Sequence, residues 1–172
     1  PDGGEIGIEG AVLVSIENLS GRDSAANEDN FTGDEQANTL DGGLGGRNIL
    51  NGGGGDDILL GGANDDDFIG GAGTDTAVVG RAGGANVDLN GVGADDTLQG
   101  FDLFDSIENL TGGADDDSFQ GDEGANVLDG GSGGSDDLNG NGGDDTLITR
   151  GVGFMDGGEG DDVLRGHGFI FD

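Results

Sequence analysis

Cysteine, tryptophan and tyrosine are absent from the 172-residue chain, proline occurs once, and only five residues are basic. Without cysteine there are no disulfides and no thiolate metal sites to hold a core together. That lack fits a secreted bacterial protein. With so little proline, and with glycine not recurring at every third place, a collagen-like triple helix is excluded. The five basic residues stand against 37 acidic ones, for a formal net charge of -32. Such a chain repels nucleic acid and anionic membrane surfaces, and its natural counter-ions are cations. No apolar run approaches the ~20 residues of a membrane-spanning helix. The first residues, PDGGEIGIEG, carry no signal peptide and read as the interior of a longer protein.

What the chain does have is glycine, 43 residues of it, far above the usual ~7%. Apolar content is low. With this charge, the bare chain cannot easily bury enough surface to offset its ordering entropy. Two outcomes remain: a disordered acidic chain, or one folded by strongly bound cations.

A fixed period favours the second. Gly52 to Val79 reads GGGGDDILL, GGANDDDFI and GGAGTDTAV. Each nine-residue block opens with two glycines, carries Asp57, Asp66 or Asp75 at its sixth place, and puts Leu59, Phe68 or Ala77 at its eighth. Ahead of them lie GDEQANTLD, with Asn38 and Leu40, and the ten-residue GGLGGRNILN, with Asn48 and Leu50. After Val79 the beat is lost, and Ala77 reads as the end of a regular core. GVGADDTLQ resembles one more unit, with Asp96 and Leu98. Then the chain restarts. SIENLS at Ser15 recurs as SIENLT at Ser106, and GDEQANTLDGG at Gly33 as GDEGANVLDGG at Gly121. The second copy loses the pattern at TRGVGFM and recovers it in GGEGDDVLR, with Asp162 and Leu164.

The spacing has a physical reading. Paired glycines permit φ > 0 and close backbone approach, so a turn built from them can aim several carbonyls at one point. An apolar residue flanked by one neighbour on each side is a minimal strand. Turn plus strand, repeated, winds a flattened spiral in which eighth-place residues stack inward and sixth-place acids stack along two edges. Two carboxylates ~5 Å apart at an effective dielectric of ~20 repel by roughly 3 kcal/mol. Hard cations between the turns reverse that sign. Carboxylate and carbonyl oxygens, six to eight of them in flexible geometry, suit calcium better than magnesium.

The pattern G-G-x-G-x-D-x-(apolar)-x resembles the RTX (repeats-in-toxin) nonapeptide, from Gly21 to Gly166 with an interruption near Gly80 to Gly91. GGGGDDILL, GGAGTDTAV and GGEGDDVLR fit every place, and GGANDDDFI has Asn64 for the third glycine. The resemblance implies an all-β, right-handed parallel β-roll or β-helix solenoid with several Ca2+ ions between its turns. It pairs each turn with the next but one, through carbonyls and the sixth-place side chain. Gly53, Gly55 and Asp57 would share an ion with Gly70, Ala72 and Asp75. Gly43, Gly45 and Asn48 would face Gly61, Ala63 and Asp66, and Asp34, Gln36 and Asn38 would face Gly52, Gly54 and Asp57. In the second copy, Asp122, Gly124 and Asn126 would face Gly140, Gly142 and Asp145. Gly113, Asp115 and Asp117 would face Gly130, Ser132 and Asp136. Asn141, Gly143 and Asp145 would face Gly157, Glu159 and Asp162. Asp29 and Asp96 complete the candidate ligands. Asn38, Asn48 and Asn126 offer oxygen without charge, so their sites are expected to be weaker.

The expected organisation is a lead-in (1–20), a first roll block (21–79), an irregular connector (80–111) and a second block (112–172). His167 reads as a surface residue. Phe31, Phe68 and Phe119 read as core, while Phe101, Phe104, Phe169 and Phe171 fall outside the beat. The acids recur at structural places with no nucleophile beside them, so no enzyme is expected. The resemblance implies type I secretion from a Gram-negative cell and folding in extracellular calcium. The role is then a structural segment of an S-layer, adhesin or other surface assembly, in contact with copies of itself. The alternative is the secretion and stability module of a larger secreted enzyme or toxin. Neither nucleic acid nor membrane insertion is expected.

Overall fold

The computed structural model describes residues 11–12, 18–21, 28–81, 83–90, 95–97, 100–166 and 169–171. Short strands follow one another with no helix among the described residues. In chain order they are β1 (Ala11–Val12), β2 (Asn18–Ser20), β3 (Asn30–Thr32), β4 (Thr39–Asp41), β5 (Ile49–Gly54), β6 (Ile58–Leu60), β7 (Asp67–Ala72), β8 (Thr76–Val78), β9 (Asn86–Asp88) and β10 (Asp95–Thr97). Then come β11 (Gly100–Asp105), β12 (Asn109–Thr111), β13 (Ser118–Gln120), β14 (Val127–Asp129), β15 (Ser135–Asn139), β16 (Thr146–Ile148), β17 (Val152–Asp156), β18 (Val163–Arg165) and β19 (Phe169–Phe171).

Most strands are three residues long because only the central, apolar side chain has a core to face. In β4, β6, β8 and β16 that residue is buried and its neighbours are not. Glycines on either side end the strand by permitting the turn. Successive strands alternate between two faces of a solenoid. One face is a long parallel sheet ordered β2-β4-β6-β8-β12-β14-β16-β18. The other consists of two short sheets. The first runs β1-β3-β5-β7-β11, edged by β10, and the second runs β9-β13-β15-β17-β19.

The registers stack the eighth-place residues into ladders. On the long sheet the column is Leu19, Leu40, Leu59, Ala77, Leu110, Leu128, Leu147, Leu164. Opposite it stand Phe31, Leu50, Phe68 and Phe104 in the first short sheet, and Val87, Phe119, Leu138 and Met155 in the second. Together they form one core. Each fully buried Leu contributes ~1.5–3 kcal/mol, so stability accumulates rung by rung. Phe31, Phe68 and Phe119 are buried, as expected.

Three expectations are corrected by these registers. Ala77 does not end the core: it lies between Leu59 and Leu110, and the long sheet crosses residues 80–111 unbroken. Phe104 belongs to the beat, since it pairs with Phe68 and the two rings stack with centroids 5.0 Å apart. Of GVGADDTLQ only Asp95–Thr97 is described, Leu98 lying outside the described residues, and that stretch supplies no parallel rung. Its strand β10, carrying Asp96, runs antiparallel to β11 with Asp96 opposite Phe101. The face-to-face stack with Phe68 gives that rung to Phe104 instead.

The middle of the chain is also out of order. Leaving β8, the chain runs ahead to β9, which pairs with β13. It then turns back through the β10–β11 hairpin to pair with β7 before resuming at β12. Of the strand expected from Ala11 to Ile16, Ala11–Val12 pairs with β3; the remainder, like His167, lies outside the described residues.

Candidate metal centre

The turns lie on two edges. Turns on the first edge lead from the short sheets into the long sheet, and turns on the second edge lead back. The sixth-place residue closes each turn, two positions before the inward apolar residue, so its side chain is held against the coil. On the first edge the backbone N–H of Asn38 donates to Asp57 Oδ1 (2.7 Å), that of Asp57 to Asp75 Oδ1 (2.8 Å), and that of Asp75 to Glu108 Oε2 (2.7 Å). Further along, Asn126 donates to Asp145 Oδ1 (2.8 Å) and Asp145 to Asp162 Oδ1 (2.9 Å). The second edge repeats the scheme from Asp29 to Asn48, Asn48 to Asp66 and Asp66 to Asp102, then from Asp117 to Asp136.

These bonds use one carboxylate oxygen. The second oxygens of Asp57, Asp75 and Asp145 are buried and have no hydrogen-bond partner, although the three residues are at most 1% exposed. A buried, unpaired carboxylate is strongly unfavourable unless a cation meets it. Carbonyls converge on the same points. A Cβ at Gly52 would stand 2.1 Å from Asp57 Oδ2 and 2.8 Å from the Gly70 carbonyl. At Gly140 it would stand 2.2 Å from Asp145 Oδ2 and 2.4 Å from the Gly157 carbonyl. Only glycine leaves that space to oxygen. Among the described residues no three or more His, Asp or Glu side chains group as a metal site by themselves. A cation here must therefore be shared between carboxylates and backbone carbonyls.

A family model described as the RTX calcium-binding nonapeptide repeat matches in four copies, over residues 42–77, 104–134, 131–151 and 148–168. These cover more than half of the chain. The chain belongs to the RTX calcium-binding nonapeptide repeat family. No curated protein matches it.

The residues fit the ion that the RTX family takes. Bare buried carboxylate oxygens, glycine-lined gaps and carbonyl donors make the hard, oxygen-only set that suits calcium. The turns of all six implied donor pairs are neighbours along one edge or the other. A backbone N–H to a sixth-place side chain links all six: Asn38/Asp57, Asp57/Asp75, Asn126/Asp145, Asp145/Asp162, Asn48/Asp66 and Asp117/Asp136. The ten-residue turns still place Asn48 and Asp136 in these columns. Their left-handed residues are Gly43 with Gly46 and Gly131 with Gly134, so the extra residue lies within the turn and Gly45 is not the left-handed position. Some implied carbonyls already accept a backbone N–H: Asp34 from Gly54, Gly113 from Ser132, Asp122 from Gly142, and Asn141 from Glu159. Each retains a second lone pair.

Two acids in the columns escaped the sequence reading. Glu108 precedes Leu110 by two places and receives the Asp75 N–H; Asp102 precedes Phe104 by two and receives the Asp66 N–H. Asp96, on the antiparallel strand, is not the acid of that rung.

Burial pushes the Asp57 carboxyl up to about 6, with the charges of Asp75, Asp34 and Asp56 adding to it. Burial likewise raises Asp117 to about 6 and Asp102 to about 7, beside Asp136 and Asp66 respectively. Asp66, Asp75, Asp136 and Asp145 also move up, chiefly by burial. These values lie above the ~3.9 of an unfolded aspartate, so the metal-free fold binds protons more tightly than the unfolded chain. That stabilisation is complete below about pH 4 and is lost as pH rises through about 6 to 7. In excess chelator, far-UV circular dichroism is expected to gain β signal as pH falls from about 8 to about 5. A signal that is flat or falls over that range would contradict the assignment.

Proposed function

We propose that this chain is an extracellular structural segment of an S-layer, adhesin or similar surface assembly, secreted by a type I route and folded by calcium on arrival. The observation that carries the reading is the set of bare, buried carboxylate oxygens at Asp57, Asp75 and Asp145. They make the metal-free coil costly and give calcium differential affinity for the folded state. With a net charge of -32, repulsion and glycine entropy keep the chain loose where calcium is scarce. At millimolar calcium, ion binding supplies the folding free energy. The solenoid itself then serves as the working part, a stiff rod of stacked rungs.

The test is a calcium titration followed by far-UV circular dichroism, with bound ions counted by equilibrium dialysis. A cooperative rise of β signal with several ions per chain is expected, and magnesium at the same concentration should produce much less. No β gain on adding calcium would sink the proposal.

A further inference from the structure

The two edges of the solenoid are not chemically alike. Every bare buried carboxylate oxygen found among the described residues, at Asp57, Asp75 and Asp145, lies on the first edge. On the second edge the corresponding oxygens are already bonded within the protein. Asp66 Oδ2 accepts the Gly62 N–H (2.8 Å), Asp117 Oδ2 the Gly113 N–H (3.0 Å), and Asp136 Oδ2 the Thr149 hydroxyl (2.9 Å).

Among the nine-residue turns backbone shape also differs between the edges, although the ten-residue turns of the second edge carry left-handed pairs of their own and the first-edge turns at Asn38 and Asn126 carry none. Left-handed φ at both the second and fourth places occurs in four nine-residue turns: Gly53 with Gly55, Gly71 with Gly73, Asn141 with Gly143, and Gly158 with Gly160. All four are on the first edge. In the nine-residue turns of the second edge only Asn64 is left-handed.

The protein's own cations show the third difference. Two second-edge turns have no side-chain oxygen at the sixth place: Ala85 and Gly153 stand there, ahead of Val87 and Met155. Each of these turns carries an arginine. Arg81 Nη1 donates to Asp41 Oδ1 (2.6 Å) and to the Gly61 carbonyl (3.0 Å). Arg150 forks onto both oxygens of Asp129 and donates to the Gly131 carbonyl (2.8 Å). Asp41 and Asp129 are the matching last residues of GDEQANTLD and GDEGANVLD. The two arginines themselves occupy non-matching positions. A guanidinium that takes a carboxylate and a backbone carbonyl makes the kind of link between turns that a bound cation makes, with a charge that cannot be removed by pH.

We propose that calcium loads only the first edge, at sites holding Asp57, Asp75 and Asp145, while the second edge is closed by the chain's own groups, Arg81, Arg150 and Thr149 among them. The proposal rests on the calcium-folding reading above. It removes the pairs Asn48/Asp66 and Asp117/Asp136 from the set of ion sites.

Two measurements test it. Crystals of the unaltered chain grown in calcium, with ions located by anomalous scattering, should show ions beside Asp57, Asp75 and Asp145 and none at Asp66, Asp117 or Asp136. An ion bridging Asn48 to Asp66 or Asp117 to Asp136 overturns the proposal and leaves the calcium reading intact. Absence of any ion overturns both. In solution, the triple change D57N/D75N/D145N should reduce ions bound per chain by equilibrium dialysis. The triple change D66N/D117N/D136N should leave the count as in the unaltered chain. An equal fall in both variants counts against edge selectivity. Arg81→Gln with Arg150→Gln should leave the ion count unchanged and lower the melting temperature in calcium. An increase in bound calcium would instead show that the arginines had been blocking ion sites of the second edge, which also supports the proposal; a decrease would overturn it.

Discussion

Replacing Asp57 by Ala should raise the calcium needed to half-fold the chain by about tenfold or more, since losing even an outer partner of a metal ligand costs 10–100-fold in affinity. Asp57 stands between the turns of Asn38 and Asp75, so it belongs to two of the implied donor sets at once. Its Oδ1 is occupied by the Asn38 N–H, which leaves Oδ2 bare and buried. The effect should change sign with the metal. In chelator, Asp57→Ala removes a buried charge that nothing compensates, so the variant should hold more β structure than the unaltered chain. In calcium it should hold less. Asp56→Ala is the control, because Asp56, in the same turn, is exposed and accepts the Thr74 N–H of the neighbouring turn. Paired titrations by circular dichroism and isothermal calorimetry read both signs. Equal shifts for Asp56→Ala and Asp57→Ala would remove Asp57 from the site.

Leu110→Ala should separate the molecule into two unfolding units. Leu110 is fully buried between Ala77 and Leu128. Truncating it beside the already small Ala77 leaves a cavity across two rungs, and such changes cost ~2–5 kcal/mol. Position makes it worse. Among the described residues, the pairing of β8 with β12 is the only strand ladder that joins the rungs before residue 80 to those after 108. In a coil whose stability is a sum of rungs and nearest-neighbour interfaces, a weak central interface uncouples the halves. Scanning calorimetry in saturating calcium should resolve two transitions for Leu110→Ala. Leu147→Ala, equally buried but near one end, should shift a single transition. One transition for both variants would show that the halves are coupled by something other than this ladder.

The regular rungs were legible because a glycine nine-residue beat phases them: Leu40, Leu59, Phe68, Leu128 and Leu147 each stand seven places after a glycine and each lies in a ladder. The neighbouring turns of the six donor pairs were legible for the same reason. FDLFDSIENL was not, because it lacks the glycines. Its acids Asp102 and Glu108 are marked only by standing two places before Phe104 and Leu110. The meeting of the halves was not legible either, since it depends on Asn109 finding Thr76 across a chain excursion that leaves the period. Nor could sequence say which carboxylate oxygens stay bare. That turns on whether the second-place amide faces its own acid, as at Gly62 and Gly113, and the motif is nearly the same either way.

The reversed order of β9 and β11 has a mechanical consequence. A simple coil pulled from its ends peels away one rung at a time, each releasing about 60 Å of slack at ~3.3 Å per residue. Here β9 is pinned under β13 and β11 against β7, so the loop between β8 and β12 cannot pay out until a neighbouring rung on each side has let go. Residues 79–108 then come free together, about 100 Å of chain in one step. The molecule thus carries a stored length at its centre, released only when β9 parts from β13 and β11 from β7.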